Sequence, residues 1–152
     1  MNRKKLLFMY IGNSYGIQEE EFNFSTIEQF CLKKVNNVYS ILKTKRSENT
    51  TPSDFWGEKI SDVSLLIGDN GSGKTTIMRI ICQWSSCFFQ GRLPQDKGIM
   101  VLQENDSLGF IAFDKGQELS VTTNLEIKQY SEKDLIDFFH DLRLIYFSNS
   151  MS

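Results

Sequence analysis

Gly68, Gly73, Lys74 and Thr75 stand in the order G-x-x-x-x-G-K-[ST], and the residues between them, Asp69, Asn70, Gly71 and Ser72, complete a glycine-rich loop. Each residue type has a chemical reason to be there. Glycines at 71 and 73 let the backbone wrap closely around oxygen atoms. The amides from Asn70 to Thr76 then point inward at the positive end of a following helix. Lys74 adds a flexible point charge for β and γ phosphates, the Thr75 hydroxyl supplies a Mg²⁺ position, and Thr76 adds a hydroxyl or amide at the helix start. The ligand these residues imply is Mg-ATP or a related nucleotide. A chance match in a chain this long is on the order of one in a few hundred; the bland alternative is a glycine turn that binds nothing.

Such a loop works only between a strand and a helix. "VSLLI" supplies apolar residues for a strand at 62–67, and a helix is expected over 74–89. There Ile77, Ile80, Ile81, Trp84 and Phe88 recur at i, i+3, i+4, i+7 and i+11, one apolar stripe. Upstream, residues 4–11 and about 19–24 read as strands around the turn "GNSYG". Ser25-Thr26-Ile27-Glu28 has the form of a capping box, and Ile27, Phe30, Cys31, Val38, Ile41 and Leu42 predict a helix over 26–42. Lys43 to Asp54, with Pro52 and no periodicity, reads as a surface loop.

Beyond the break "QGRLPQDKG", strands are expected near 99–103, 108–113 and 118–129, the last two joined through a hairpin turn at "DKGQ". In the last strand Leu119, Val121, Thr123, Leu125 and Ile127 share one face. Ser131-Glu132-Lys133-Asp134 predicts a second capping box, and Leu135, Ile136, Phe138, Phe139 and Leu142 an apolar helix face. A final strand, "RLIYFS", is expected close to Ser152.

The chain has 152 residues, one domain's worth, with 17 Lys plus Arg against 19 Asp plus Glu. A net charge of -2 gives no global field for nucleic acid. Cys31, Cys82 and Cys87 form no disulfide framework, and His140 is the single histidine, too few ligands for a Cys/His zinc site. A reducing cytoplasm fits. "MNRKKLLFMYIG" has an apolar run of about seven residues and no small-residue cleavage site, so it reads as a strand rather than a secretory signal. No apolar run approaches the ~18 residues of a membrane span.

With Asn70 inside the loop, "GDNGSGKTT" takes the form G-x-N-G-x-G-K-[ST]-T, and here the chain resembles ABC-type ATPase heads, in particular the SMC and OLD-like branch. "LLFMYIGNSYGIQEEEFNF" is similar to the first two strands of such heads: Asn13, Gly16, Phe22 and Phe24 match, while Tyr15 stands where many relatives carry a phosphate-assisting arginine. The strands from about 98 to 130 look like the antiparallel β subdomain of these heads. "LIYFSNS" looks like a strand of bacterial members, some linked to antiphage defence. The resemblance implies an α/β P-loop NTPase fold, an incomplete head with a mixed sheet, a β subdomain and flanking helices. It puts Asn149 in the place of the polar residue that approaches metal and attacking water. Residues 25–60 look like an insertion.

The resemblance also implies what is missing. An LSGGQ-like signature, an apolar strand ending in Asp-Glu and a switch histidine are not found. "GFIAFD" ends in Asp114, but Lys115 follows where the family has its catalytic Glu, and a hairpin explains "DKGQ". His140, in "DLIDFFHDLR" beside acidic neighbours, reads as a surface or half-buried residue rather than a switch histidine. The chain is therefore expected to be the N-terminal portion, residues 1–152, of a longer ATPase, completed by the remaining lobe and by a second protomer or partner protein. The isolated chain is accordingly expected to hydrolyse slowly or not at all.

Phe55 and Trp56 are candidates for stacking on adenine, with a core anchor as the simpler reading. Arg3, Lys4 and Lys5, and separately Lys43, Lys45 and Arg46, would touch nucleic acid in a DNA-engaging relative; solvated charge is the simpler reading. Two other classes stay open. One is a small complete P-loop kinase or GTPase, although no Asn-Lys-x-Asp motif or arginine-rich lid is found. The other is a non-hydrolysing interaction module that nucleotide stabilises.

Overall fold

The computed structural model describes residues 3–25, 28–45 and 74–140. Two antiparallel hairpins come first, β1 (Lys4–Ser14) with β2 (Ile17–Asn23) and β3 (Glu28–Val35) with β4 (Val38–Lys45). Helix α1 (Lys74–Phe89) is followed by β5 (Lys97–Glu104), β6 (Ser107–Asp114), β7 (Gln117–Glu118), β8 (Val121–Thr123), β9 (Lys128–Gln129) and helix α2 (Glu132–Phe139). Among the described residues the architecture is mixed α/β: a six-stranded sheet in the order β2-β1-β5-β6-β7 with β9 beside β6, and a three-stranded sheet β3-β4-β8.

These elements stack in three layers, because the larger sheet buries both faces. Met9, Ile11, Met100, Leu102, Ile111 and Phe113 pack with the apolar stripes of α1 and α2. Phe8, Tyr10, Ile99, Val101, Phe110 and Ala112 pack with Phe30, Tyr39 and Ile41 of the smaller sheet. Two buried faces explain why β1, β5 and β6 read as unbroken apolar runs rather than alternating ones. Leu7 and Gly12 interrupt the pairing of β1 with β5 as bulges, so consecutive Leu7 and Phe8 both join the core shared with the smaller sheet. Of the strands in the 98–130 region, β5, β6, β7 and β9 share a sheet with β1 and β2, and β8 joins the smaller sheet.

The helix expected over 26–42 is a β-hairpin. Its helical spacing mixes residues from two faces of paired strands: Phe30 and Ile41 are buried against the large sheet, while the adjacent Cys31 and Leu42 pair with each other. Asn36 and Asn37 carry the turn at φ 51° and 63°, the left-handed backbone that a two-residue hairpin needs and that Asn tolerates. Half of the anticipated capping box is real, since the Glu28 N–H donates to Ser25 Oγ at 3.1 Å, but it leads into β3. Residues 43–45 of the expected surface loop belong to β4, which runs to Lys45.

Most other expectations match. Tyr15 and Gly16 turn β1 into β2, and Lys115 and Gly116 turn β6 into β7, all four at positive φ. The strand expected at 118–129 is broken into β7, β8 and β9, which leave the large sheet, visit the small one and return. Leu119, Val121, Leu125 and Ile127 nevertheless share one side against the core between the sheets. Helix α2 starts with the full capping box: the Asp134 N–H donates to Ser131 Oγ at 3.3 Å and the Ser131 N–H to Asp134 Oδ2 at 2.9 Å. The Ser131 backbone N–H, then Lys128, hold the Asp134 carboxyl at about 2. The expected strands at 62–67 and "RLIYFS", and most of the 43–54 loop, lie outside the described residues.

Candidate functional site

Helix α1 opens at Lys74, the lysine of the glycine-rich motif, and runs 16 residues. The five residues of the expected stripe, Ile77, Ile80, Ile81, Trp84 and Phe88, are all buried. They fix the helix to the large sheet along nearly its whole length. Its N-terminal end remains polar: Thr75 is exposed, Thr76 is half-buried, and the first turn contains no acidic residue. Orphan amides without a competing carboxylate are what an anion needs from a helix start. Gly68, Asp69, Asn70, Gly71, Ser72 and Gly73, the Lys74 side chain, and Asn149, Phe55 and Trp56 lie outside the described residues.

The C-terminal half of α1 is held by a carboxylate that sequence reasoning missed. Asp96 Oδ2 accepts from the Ser14 hydroxyl at 2.8 Å and from Trp84 Nε1–H at 2.9 Å. One oxygen thereby joins the end of β1, the middle of α1 and the approach to β5. Trp84 itself meets Phe113 edge-on, with ring centroids 4.8 Å apart. Asp96 sits in the stretch "QGRLPQDKG", legible only as a break; the partners that define its role are distant in sequence.

The structure places Tyr15 beside this hub rather than beside the helix start. Its exposed ring shares a cavity with Gln83, Trp84 and Cys87 of α1. At about 1.5 Å per residue this part of α1 is roughly 15 Å from Lys74 along the axis. Asn13 is exposed, and Phe22 and Phe24 are half-buried against the helix-side core.

Of the basic residues singled out in the sequence, Lys4 and Lys43 have side-chain partners, and the Lys45 side chain and Arg46 lie outside the described residues. Lys4 donates to the Phe138 carbonyl at 2.5 Å and lies 5.2 Å from the Phe138 ring, capping the last turn of α2. Lys43 pairs with Glu28 at 2.7 Å. The backbone N–H of Arg3 donates to Asn105 Oδ1 at 3.1 Å. Asp114 closes the β6–β7 hairpin opposite Gln117, and His140 ends α2 with its backbone N–H bonded to Ile136.

Between the sheets, Tyr39 stacks at an angle against Tyr10, ring centroids 5.8 Å apart. The Lys97 and Lys34 ammonium groups lie 4.8 Å and 5.4 Å from the Tyr39 ring centroid, and its hydroxyl is buried without a well-formed hydrogen bond. Burial, then Tyr39, push the Tyr10 phenol well above the ordinary tyrosine value. Burial opposes ionisation of Tyr39 too, but Lys97, Tyr10 and Lys34 hold its phenol below that value.

Among the described residues no group of three or more His, Cys, Asp or Glu could hold a metal, and Cys31, Cys82 and Cys87 are free thiols. No described helix is long and apolar enough to cross a membrane. No family model, curated protein or solved structure matches the chain.

Proposed function

We propose that the chain binds Mg-ATP through Gly68–Thr76, as the N-terminal part of an ABC/SMC-like ATPase head working in the cytoplasm. The observation that carries this reading is the coincidence of the G-x-x-x-x-G-K-[ST] motif with the start of an amphipathic helix at Lys74. A rigidly anchored helix whose first turn has no acidic residue supports an anion at its N-terminus. Lys74 would neutralise the β and γ phosphates, and Thr75 would give its hydroxyl to Mg²⁺, which screens the phosphate charge when bound.

Hydrolysis needs a positioned water and charge stabilisation from an opposing surface. On this reading both come from the remaining lobe and from a second protomer or partner, and the chain alone holds ATP without appreciable turnover. Nucleic acid and antiphage defence are not needed to account for any described residue.

The test is a titration of Mg-ATP against wild type and Lys74→Ala, read as melting temperature with phosphate release on the same samples. A ligand at a hundredfold excess over Kd stabilises the folded state by about 2.7 kcal/mol. A wild-type shift of that order, lost in Lys74→Ala and without phosphate release, is expected. An unshifted but folded wild type would overturn the reading.

A further inference from the structure

The cavity beside the C-terminal half of α1, about 320 Å³, is large enough for a small ligand or a single side chain. Tyr15, Gln83, Trp84, Gln95 and Asp96 contribute to its wall. Its α1 wall, around Trp84, lies roughly 15 Å along the helix axis from Lys74, the first residue of α1.

Three features define what it would take. The first is charge. Asp96 forms no ion pair with any cation among the described residues, and its two bonds there come from neutral donors. Both use Oδ2, which leaves Oδ1 to accept from elsewhere. The second is a flat aromatic wall, because Tyr15 is 53% exposed at the tip of a tight turn and its neighbour Gly16 opens no competing side chain over it. The third is a pair of carboxamides, Gln83 and Gln95, which offer further acceptors. Gln95 is seated against Gly116, where an added Cβ would meet its Nε2 at 2.6 Å.

We propose that this cavity receives a planar nitrogen cation, a guanidinium or amidinium group, stacked on Tyr15 and donating to Asp96. A guanidinium combines a flat face for the ring with several in-plane N–H donors for the carboxylate and carboxamides; an ammonium offers a point charge without the face. The source of the group is either a free small molecule or an arginine side chain on another chain.

The Trp84 indole N–H, already bonded to Asp96, reports directly on this carboxylate. Its ¹H–¹⁵N resonance, assigned against Trp56→Phe, is followed in the full chain as methylguanidinium or N-acetyl-arginine amide is added. N-acetyl-lysine amide and N-acetyl-citrulline amide control for charge without planarity and planarity without charge. Saturable shifts are expected with the guanidinium probes and at least tenfold weaker binding of both controls. Tyr15→Asn, which keeps a residue tolerant of positive φ, should weaken binding at least fivefold with the indole resonance otherwise in place. Equal affinity for both guanidinium probes points to a small molecule, and tighter binding of the arginine amide to a protein-borne side chain. The proposal is overturned by no saturable shift, by a lysine or citrulline probe that binds as tightly, or by unchanged affinity in Tyr15→Asn.

Discussion

Trp84 and Asp96 are joined across the seam between α1 and the large sheet by a 2.9 Å bond from the indole N–H to the carboxylate. Trp84 is fully buried, so its N–H has no water to fall back on. Asp96→Ala would leave that donor and the Ser14 hydroxyl unmatched, and a loss of about 2–4 kcal/mol is expected from two such groups. Asp96→Asn keeps an acceptor and should cost about 1 kcal/mol. Trp84→Ala, which also opens a cavity, should cost about 3–5 kcal/mol. Urea unfolding midpoints rank the three; an Asp96→Ala variant as stable as wild type would show that water replaces the carboxylate.

Gly98 lies under the Trp84 ring, where an added Cβ would come within 2.2 Å of Trp84 Cη2. The ring is held by Phe113 on one side and by Asp96 through its nitrogen, so it cannot yield freely. Gly98→Ala should therefore destabilise by about 1–3 kcal/mol through overpacking, although alanine is the better strand residue. Stabilisation in the same urea series would mean that α1 can shift outward at little cost.

How far the sequence can be read depends on whether a signal is local. The stripe of α1 and the capping box of α2 are set by residues a few positions apart, and both are present in the structure. The β1–β2 and β6–β7 turns are marked by glycine. The β3–β4 hairpin reads as a helix because Asn36-Asn37 is a weaker turn signal than Asn-Gly, while Ser25 and Glu28 imitate a helix start. Strands β7, β8 and β9 share one apolar alternation, and nothing in that pattern says that the chain changes sheets. Asp96 is invisible for a related reason: its side-chain partners, Ser14 and Trp84, are 82 and 12 residues away. Of the candidate site, the start of α1 is legible in the sequence and its anchoring hub is not.

The Asn36-Asn37 turn offers a direct test of that explanation. Both residues sit at positive φ, at 51° and 63°. Glycine has no Cβ penalty there, and Asn-Gly is the preferred pair for this turn, so Asn37→Gly should raise stability by roughly 0.5–1 kcal/mol. Asn37→Val should lower it by about 1–2 kcal/mol, since a β-branched residue resists that backbone. Thermal unfolding of the two variants gives opposite signs if the hairpin forms as described. A helix at these residues would reverse the glycine result, because glycine weakens a helix interior.

The Tyr10–Tyr39 pair gives a pH dependence whose two limbs have opposite signs. An unfolded tyrosine titrates near pH 10. Tyr39 has its phenol held below that by Lys97, Tyr10 and Lys34, against burial. Its contribution is present above about pH 10 and is lost as pH falls through the folded value. Tyr10, raised by burial and then by Tyr39, contributes stability that is present below about pH 10 and lost as pH rises through its own folded value. Stability should therefore climb slightly on approaching pH 10 and decline beyond it. Absorbance at the tyrosinate band should show one phenol ionising ahead of the others, and Tyr39→Phe should remove it. At neutral pH the same variant should cost less than about 1 kcal/mol or even stabilise, because it deletes a buried hydroxyl that lacks a well-formed bond. A large loss at neutral pH would instead assign that hydroxyl a hydrogen-bonded role between the sheets.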